Sequence, residues 1–152
     1  ALASYRGVRR RLEMIGEYHG ALIIDDYAHH PAEITASLKA LKDTYPDKRL
    51  IVLFHPHTYS RTETFLKEFA QSLTLADEIY LLDVYASARE KGGEVGSDDI
   101  VRSVNTLKRK AQNLKTITDA VNYFREHLKE NDVLVTMGAG DVFRVAEQLV
   151  KL

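Results

Sequence analysis

The chain of 152 residues contains no cysteine and no tryptophan. The missing thiols exclude disulfides, thiolate metal sites and a cysteine nucleophile. They fit a cytoplasmic location without establishing one. No apolar run approaches the roughly 18 residues of a membrane-spanning helix. Charge of one sign is also missing: 21 Lys and Arg face 22 Asp and Glu, for a formal net charge of -1. No bulk field therefore points to nucleic acid or to a membrane surface. Gly-Lys-Ser and Gly-Lys-Thr occur nowhere, so these residues hold no P-loop. The opening Ala1-Leu2-Ala3-Ser4 is too short for a signal peptide. It lacks an initial Met, so the expectation is a piece of a longer chain.

What is present suits one soluble globular domain over residues 1–152, with 45% hydrophobic and 28% charged residues. Four short apolar runs stand out: Ala21–Ile24, Leu50–Phe54, Ile79–Leu82 and Val133–Met137. None alternates with polar residues, as expected of strands covered on both faces. Helical spacing separates them. Pro31 suits a first helical position with Glu33 in the first turn, and Ile34, Leu38, Leu41 and Tyr45 follow on one face. Ser60 with Glu63 fits a capping box, and Thr118 suits another N-cap. An earlier strand around Arg11–Ile15, bounded by Gly16, would turn at His19-Gly20 into Ala21–Ile24. A weaker strand is expected near Leu114. The order β-β-α-β-α-β-α-(β)-α-β-α predicts an α/β fold: a Rossmann-like, doubly wound, mostly parallel sheet with one antiparallel edge strand.

In such a sheet the strands end on one rim, where ligands bind. Four strands here end in polar sequence: Asp25-Asp26-Tyr27-Ala28-His29-His30-Pro31, His55-Pro56-His57-Thr58-Tyr59-Ser60-Arg61-Thr62, the loop Asp83–Gly96, and Gly138-Ala139-Gly140-Asp141. Four of the six histidines, His29, His30, His55 and His57, fall in the first two. Each feature has a plainer reading. An Asp after a strand caps turns, Arg9-Arg10-Arg11 is a solvated edge more often than a phosphate grip, and tight turns need Gly whether or not their amides hold an anion. Two functional readings remain open from residues alone. One is a nucleotide- or amino-acid-binding rim, with Asp26 on a ribose and Arg61 forking a carboxylate. The other is a zinc or manganese site made by Asp25 or Asp26 with His29, His30, His55 and His57. Adjacent His29 and His30 do not easily share one ion, and the spacing matches no metal motif, so the first is favoured.

Asp-Asp-Tyr-Ala-His-His-Pro at 25–31 with Glu33, Phe-x-Pro-His-Thr-Tyr-Ser-Arg-Thr at 54–62, Thr-Met-Gly-Ala-Gly-Asp at 136–141 and Gly7-Val8-x-Arg10-Arg11 together resemble the C-terminal domain of the Mur ligases. The resemblance covers essentially the whole chain, and the second motif narrows it to the branch that adds L-alanine. It implies ATP-dependent amide formation in peptidoglycan precursor synthesis: the carboxylate of UDP-N-acetylmuramate is phosphorylated and the L-alanine amine attacks the acyl phosphate. It further implies an N-terminal domain for the UDP-sugar and a central P-loop domain that holds most of the contacts to ATP and Mg. No catalytic residue is expected in this part, which by itself should lack ligase activity. By position, Asp26 corresponds to the family's ribose contact; Tyr27 and His29, and less directly His30, to residues around alanine. His57 and Arg61 correspond to the second motif, whose Arg pairs with the amino-acid carboxylate. The Asp83–Gly96 loop, with Tyr85, Ser87 and Arg89, lies where relatives choose their amino acid. Many relatives carry Arg directly after the motif His; Thr58 stands here, which leaves more of the electrostatics to Arg61. A branch that reuses tripeptide shares His-His-Pro but fits 57–62 poorly.

Overall fold

The structure is a computed structural model that describes residues 9–86 and 88–151. Gly7, Val8 and Ser87 lie outside the described residues. Among the described residues six strands form one sheet in the order β1-β2-β6-β3-β4-β5. They are β1 Glu13–Tyr18, β2 Ala21–Asp26, β3 Arg49–Phe54, β4 Glu78–Leu81, β5 Ala111–Asn113 and β6 Asp132–Met137. Only β1 runs antiparallel, against β2; the other pairings are parallel. The expected doubly wound sheet with one antiparallel edge is therefore the observed one.

Because the apolar strands have no polar alternation, both faces need helices. Alternate residues of β3 sort the two cores: Leu50, Val52 and Phe54 pack with α1 (Pro31–Thr44), α3 (Leu66–Leu73) and α4 (Ser97–Thr106). Ile51 and Leu53 pack with α5 (Ile117–His127) and α6 (Phe143–Val150). Among the described helices none is long and apolar enough to cross a membrane.

Some local expectations shift. The strand β1 continues through Gly16 to Tyr18, with a register irregularity between Met14 and Gly16, so Gly16 bends the strand instead of ending it. The His19-Gly20 turn forms as expected, both residues at positive φ. The weak strand lies at Ala111–Asn113, just before buried Leu114. The helix after β3 starts at Tyr59 and breaks at Phe65 into α2 (Tyr59–Thr64) and α3. Its N-cap is Thr58, not Ser60, and α5 is capped by Thr116, not Thr118. In both cases a threonine two residues earlier reaches the amide of its third successor: Arg61 N at 3.4 Å and Asp119 N at 3.1 Å.

Register fixes where the site lies. Asp26 pairs with Met137, Met137 with Phe54, and Phe54 with Leu81. The carboxyl ends of four parallel strands are thus level, and their loops share one rim. After β3 the chain crosses to one face of the sheet, and after β6 to the other. The change of face between those two strand ends makes this a topological switch point, the place where ligands bind in such sheets.

Candidate functional site

On the β2 side the two aspartates divide their work. Asp25 is fully buried and accepts hydrogen bonds from Thr136 Oγ1 at 2.6 Å and Arg10 Nε at 3.0 Å. Arg10 also donates to the Gly138 carbonyl at 2.8 Å and lies over the rings of Tyr27 and Phe143 at 5.0 and 4.7 Å. One guanidinium thereby joins the loops after β2 and β6. Asp26 accepts from Ala28 N, Leu12 N and Ser37 Oγ at 2.7, 3.0 and 3.1 Å. It lines a groove of about 340 Å³ with Leu12, Tyr27, Glu33 and Ser37. A carboxylate offers about four acceptor positions, so Asp26 first builds its own loop and keeps roughly one for anything else. Tyr27 is exposed above it.

The turn into α1 is made by Glu33. Its Oε2 accepts from both His29 N and His30 N at 3.1 Å. His30 is extended, as a residue before proline should be, and it caps the helix through Nδ1 to Ala32 N at 3.4 Å. Its ring meets Phe65 edge-on at 4.8 Å. His29 is half-buried, with Nδ1 3.0 Å from the Tyr27 carbonyl and its ring edge-on to Tyr27.

On the β3 side, His57 is stacked on Tyr85 from the loop after β4. The backbones of those loops are joined as well: Thr58 N donates to Tyr85 O at 3.1 Å and Tyr85 N to Pro56 O at 2.8 Å. Buried His55 also meets Tyr85 edge-on and brings Nδ1 within 3.7 Å of Asp141 Oδ1. The Nδ1 atoms of His55 and His57 are buried without a hydrogen-bond partner among the described residues. Gly138 and Gly140 admit this packing: a Cβ at Gly138 would meet the His55 carbonyl at 2.7 Å, and one at Gly140 the Tyr85 ring at 3.0 Å.

Charge follows from the geometry. Burial lowers the His57 pKa from its usual 6.5; Arg61 and His29 push it the same way, while Glu90 opposes. Residues from the β2 and β3 loops therefore act on one imidazole. Burial likewise lowers His55 against the pull of Asp141. The half-buried Arg61 guanidinium has no hydrogen bond or ion pair among the described residues. An imidazole whose charged form is disfavoured, beside a guanidinium with no partner among the described residues, is an environment that accepts a carboxylate.

The metal alternative finds no support in this geometry. Among the described residues there is no ligand-like group of three or more His, Asp or Glu, and both aspartates are held by protein donors.

A model of the family described as "Mur ligase, glutamate ligase domain" matches residues 10–140. The chain belongs to the Mur ligase family. It is 42% identical over 149 residues to UDP-N-acetylmuramate--L-alanine ligase of Clostridium acetobutylicum, covering 98% of this chain and 32% of that protein. Among solved structures it resembles the UDP-N-acetylmuramate-alanine ligase MurC of Thermotoga maritima, with a TM-score of 0.81 and 28% identity over 99% of this chain and 31% of the other. It also resembles the murein peptide ligase of Psychrobacter arcticus, with a TM-score of 0.72 and 27% identity over 97% of this chain and 30% of the other. The chain spans about a third of the length of the curated relatives it matches.

Within this Mur ligase domain the structure gathers the expected residues into two groups. Tyr27, His29 and His30 stand on the β2 loop, while His57 on the β3 loop, Arg61 in the first turn of α2 and Tyr85 on the β4 loop form the second group, with His29 and His57 close enough to interact electrostatically. Exposed Arg89 lies farther along the β4 loop. Sequence reading passed over Arg10 as a choice between solvated edge and phosphate grip; Arg9 and Arg11 are exposed, and Arg10 alone turns inward. It also passed over Glu90, whose partners on α2 lie 30 and 31 residues away. No local pattern marks a contact of that span.

Proposed function

We propose that this chain is the C-terminal domain of a cytoplasmic UDP-N-acetylmuramate–L-alanine ligase and that its rim presents L-alanine to an acyl phosphate formed on a neighbouring central domain. The observation that carries the reading is half-buried Arg61, whose guanidinium has no partner among the described residues, beside His57 on the rim, within a chain 42% identical to a ligase of that name. In the reaction, ATP phosphorylates the muramate carboxylate. The alanine amine then attacks the acyl carbon, the C–N bond forms, phosphate leaves with the electrons of the C–O bond, and the amine gives up a proton. Arg61 holds the alanine carboxylate bidentately, His57 and His29 flank it, and Tyr27 closes the β2 side. His30 acts mainly by capping the helix that follows His29. Ser87 and Arg89, with Tyr85, belong to the segment that selects the amino acid. The groove beside Asp26 and Tyr27 takes the ATP ribose, with the one acceptor position Asp26 has left. Mg and most of ATP belong to the central P-loop domain, which with UDP-N-acetylmuramate completes the set of partners.

Arg61→Ala in the full-length ligase tests this. A charge-assisted pair contributes about 1.5–3 kcal/mol, so the KM for L-alanine should rise roughly tenfold to a hundredfold with little change in KM for ATP. Unchanged alanine kinetics would remove Arg61 from the site.

A further inference from the structure

The four amides that open α2 are all satisfied, and three of them by one loop. The first four N–H groups of a helix have no partner within the helix. Here Thr58 N donates to Tyr85 O at 3.1 Å. Tyr59 N donates to Glu90 Oε2 and Ser60 N to Glu90 Oε1, both at 2.9 Å. Arg61 N donates to Thr58 Oγ1 at 3.4 Å. The loop after β4 thus grips α2 at two points, the Tyr85 carbonyl and the Glu90 carboxylate. A third contact follows, because Gly93 lies so close to Tyr59 that an added Cβ would meet the Tyr59 Cβ at 2.6 Å.

The gripped turn is not a relaxed one. Thr58 has φ 67 and ψ 141, a region a β-branched residue enters only when its surroundings hold it there. Thr58 separates His57 from the first turn of α2, and Arg61 ends that turn. The direction in which His57 and Arg61 project therefore depends on Thr58 keeping this conformation. Its neighbours on either side are held by the β4 loop: His57 through Tyr85, and Tyr59 and Ser60 through Glu90.

We propose that Glu90 is a positioning residue for amino-acid binding: by bridging the Tyr59 and Ser60 amides it locks the strained Thr58 turn, and so sets the separation of His57 and Arg61 and the seat of Tyr85 against His57. The inference rests on the ligase reading above. In this role Glu90 acts through the Tyr59 and Ser60 amides and not by touching substrate. A carboxylate suits the task because two oxygens meet two successive amides with charge assistance. Glutamine offers one oxygen and no charge, so it restores part of the bridge; alanine restores none.

The test has two readouts. In this chain, NMR should show the Tyr59 and Ser60 amide signals moved and less protected from exchange in Glu90→Ala. The His57 titration midpoint should move to lower pH, since Glu90 favours the charged imidazole. In the full-length ligase, Glu90→Ala should raise KM for L-alanine roughly fivefold or more with kcat and KM for ATP within about twofold of wild type, and Glu90→Gln should fall between. Unmoved amides and an unmoved His57 midpoint would overturn the bridge itself. Moved amides with unchanged alanine KM would overturn its role in binding, as would an equal rise in both KM values with a lowered melting temperature. A wild-type ligase that does not turn over L-alanine would instead overturn the ligase reading, and the amino-acid role of Glu90 with it.

Discussion

The imidazole of His57 lies flat on the phenol ring of Tyr85, with 5.5 Å between centroids and 14° between planes. Tyr85 is 40% exposed, so the pair forms an open wall instead of a core contact. Aromatic pairs of this kind contribute about 0.5–1.5 kcal/mol, so Tyr85→Ala in the full-length ligase should raise KM for L-alanine roughly two- to tenfold. Tyr85→Phe keeps the ring and should stay close to wild type. Steady-state kinetics with alanine as the varied substrate decides; equal effects of the two substitutions would show that the hydroxyl, not the stack, matters.

Two glycines of one turn should fail differently. Gly138 has φ 151, and a Cβ there would meet the His55 carbonyl, a backbone atom that cannot swing aside. Gly138→Ala should therefore cost about 1–3 kcal/mol of stability, a fall of roughly 2–12 °C in melting temperature for a chain of this size. A Cβ at Gly140 instead meets the Tyr85 ring at 3.0 Å, and an exposed ring can move. Gly140→Ala should leave the melting temperature nearly unchanged and weaken alanine binding through the displaced Tyr85. Thermal unfolding beside alanine kinetics separates the two, and identical behaviour of both variants would contradict this.

The Arg10–Asp25 pair predicts a pH dependence. Burial raises the Asp25 pKa above its usual 3.8, although Thr136 and Arg10 hold it down. A raised folded-state pKa means that the folded protein binds the proton more tightly than the unfolded chain. The contribution of Asp25 is then most favourable below 3.8 and declines as pH rises through its folded pKa. Removing the guanidinium pushes that pKa further up and leaves a buried carboxylate unpaired. Arg10→Met should cost about 3 kcal/mol near neutral pH. The gap from wild type should shrink as the solution is acidified and Asp25 takes up its proton. Melting curves across acid to neutral pH measure this; a gap independent of pH would mean that Arg10 acts through the Gly138 carbonyl and its ring contacts with Tyr27 and Phe143, not through Asp25.

Much of this architecture was legible in the chain. Unbroken apolar runs as short as Leu50–Phe54 read as strands covered on both faces, and helical crossovers between them go with parallel pairing. Pro31 imposes an extended His30 and a helix behind it, because a ring-locked φ and a missing N–H suit that position alone. Where strands are parallel, their polar ends share a rim, so the grouping of Asp26, Tyr27, His29, His57 and Arg61 followed from residue order.

The remainder rests on contacts between residues far apart in sequence. Ser60 with Glu63 satisfies every local criterion for a capping box, yet Thr58 is the cap. The Tyr85 carbonyl and the Glu90 carboxylate, arriving from the loop after β4, hold Thr58 at a positive φ and start the helix two residues early. Arg9, Arg10 and Arg11 are chemically alike, and only the buried Asp25 and the Gly138 carbonyl turn Arg10 inward. Asp26 reads as a free ligand until Leu12 and Ser37 fold back onto it. Periodicity and local sterics settle which segments are strands and helices. Which partner satisfies a given polar group depends on which loops the sheet brings together.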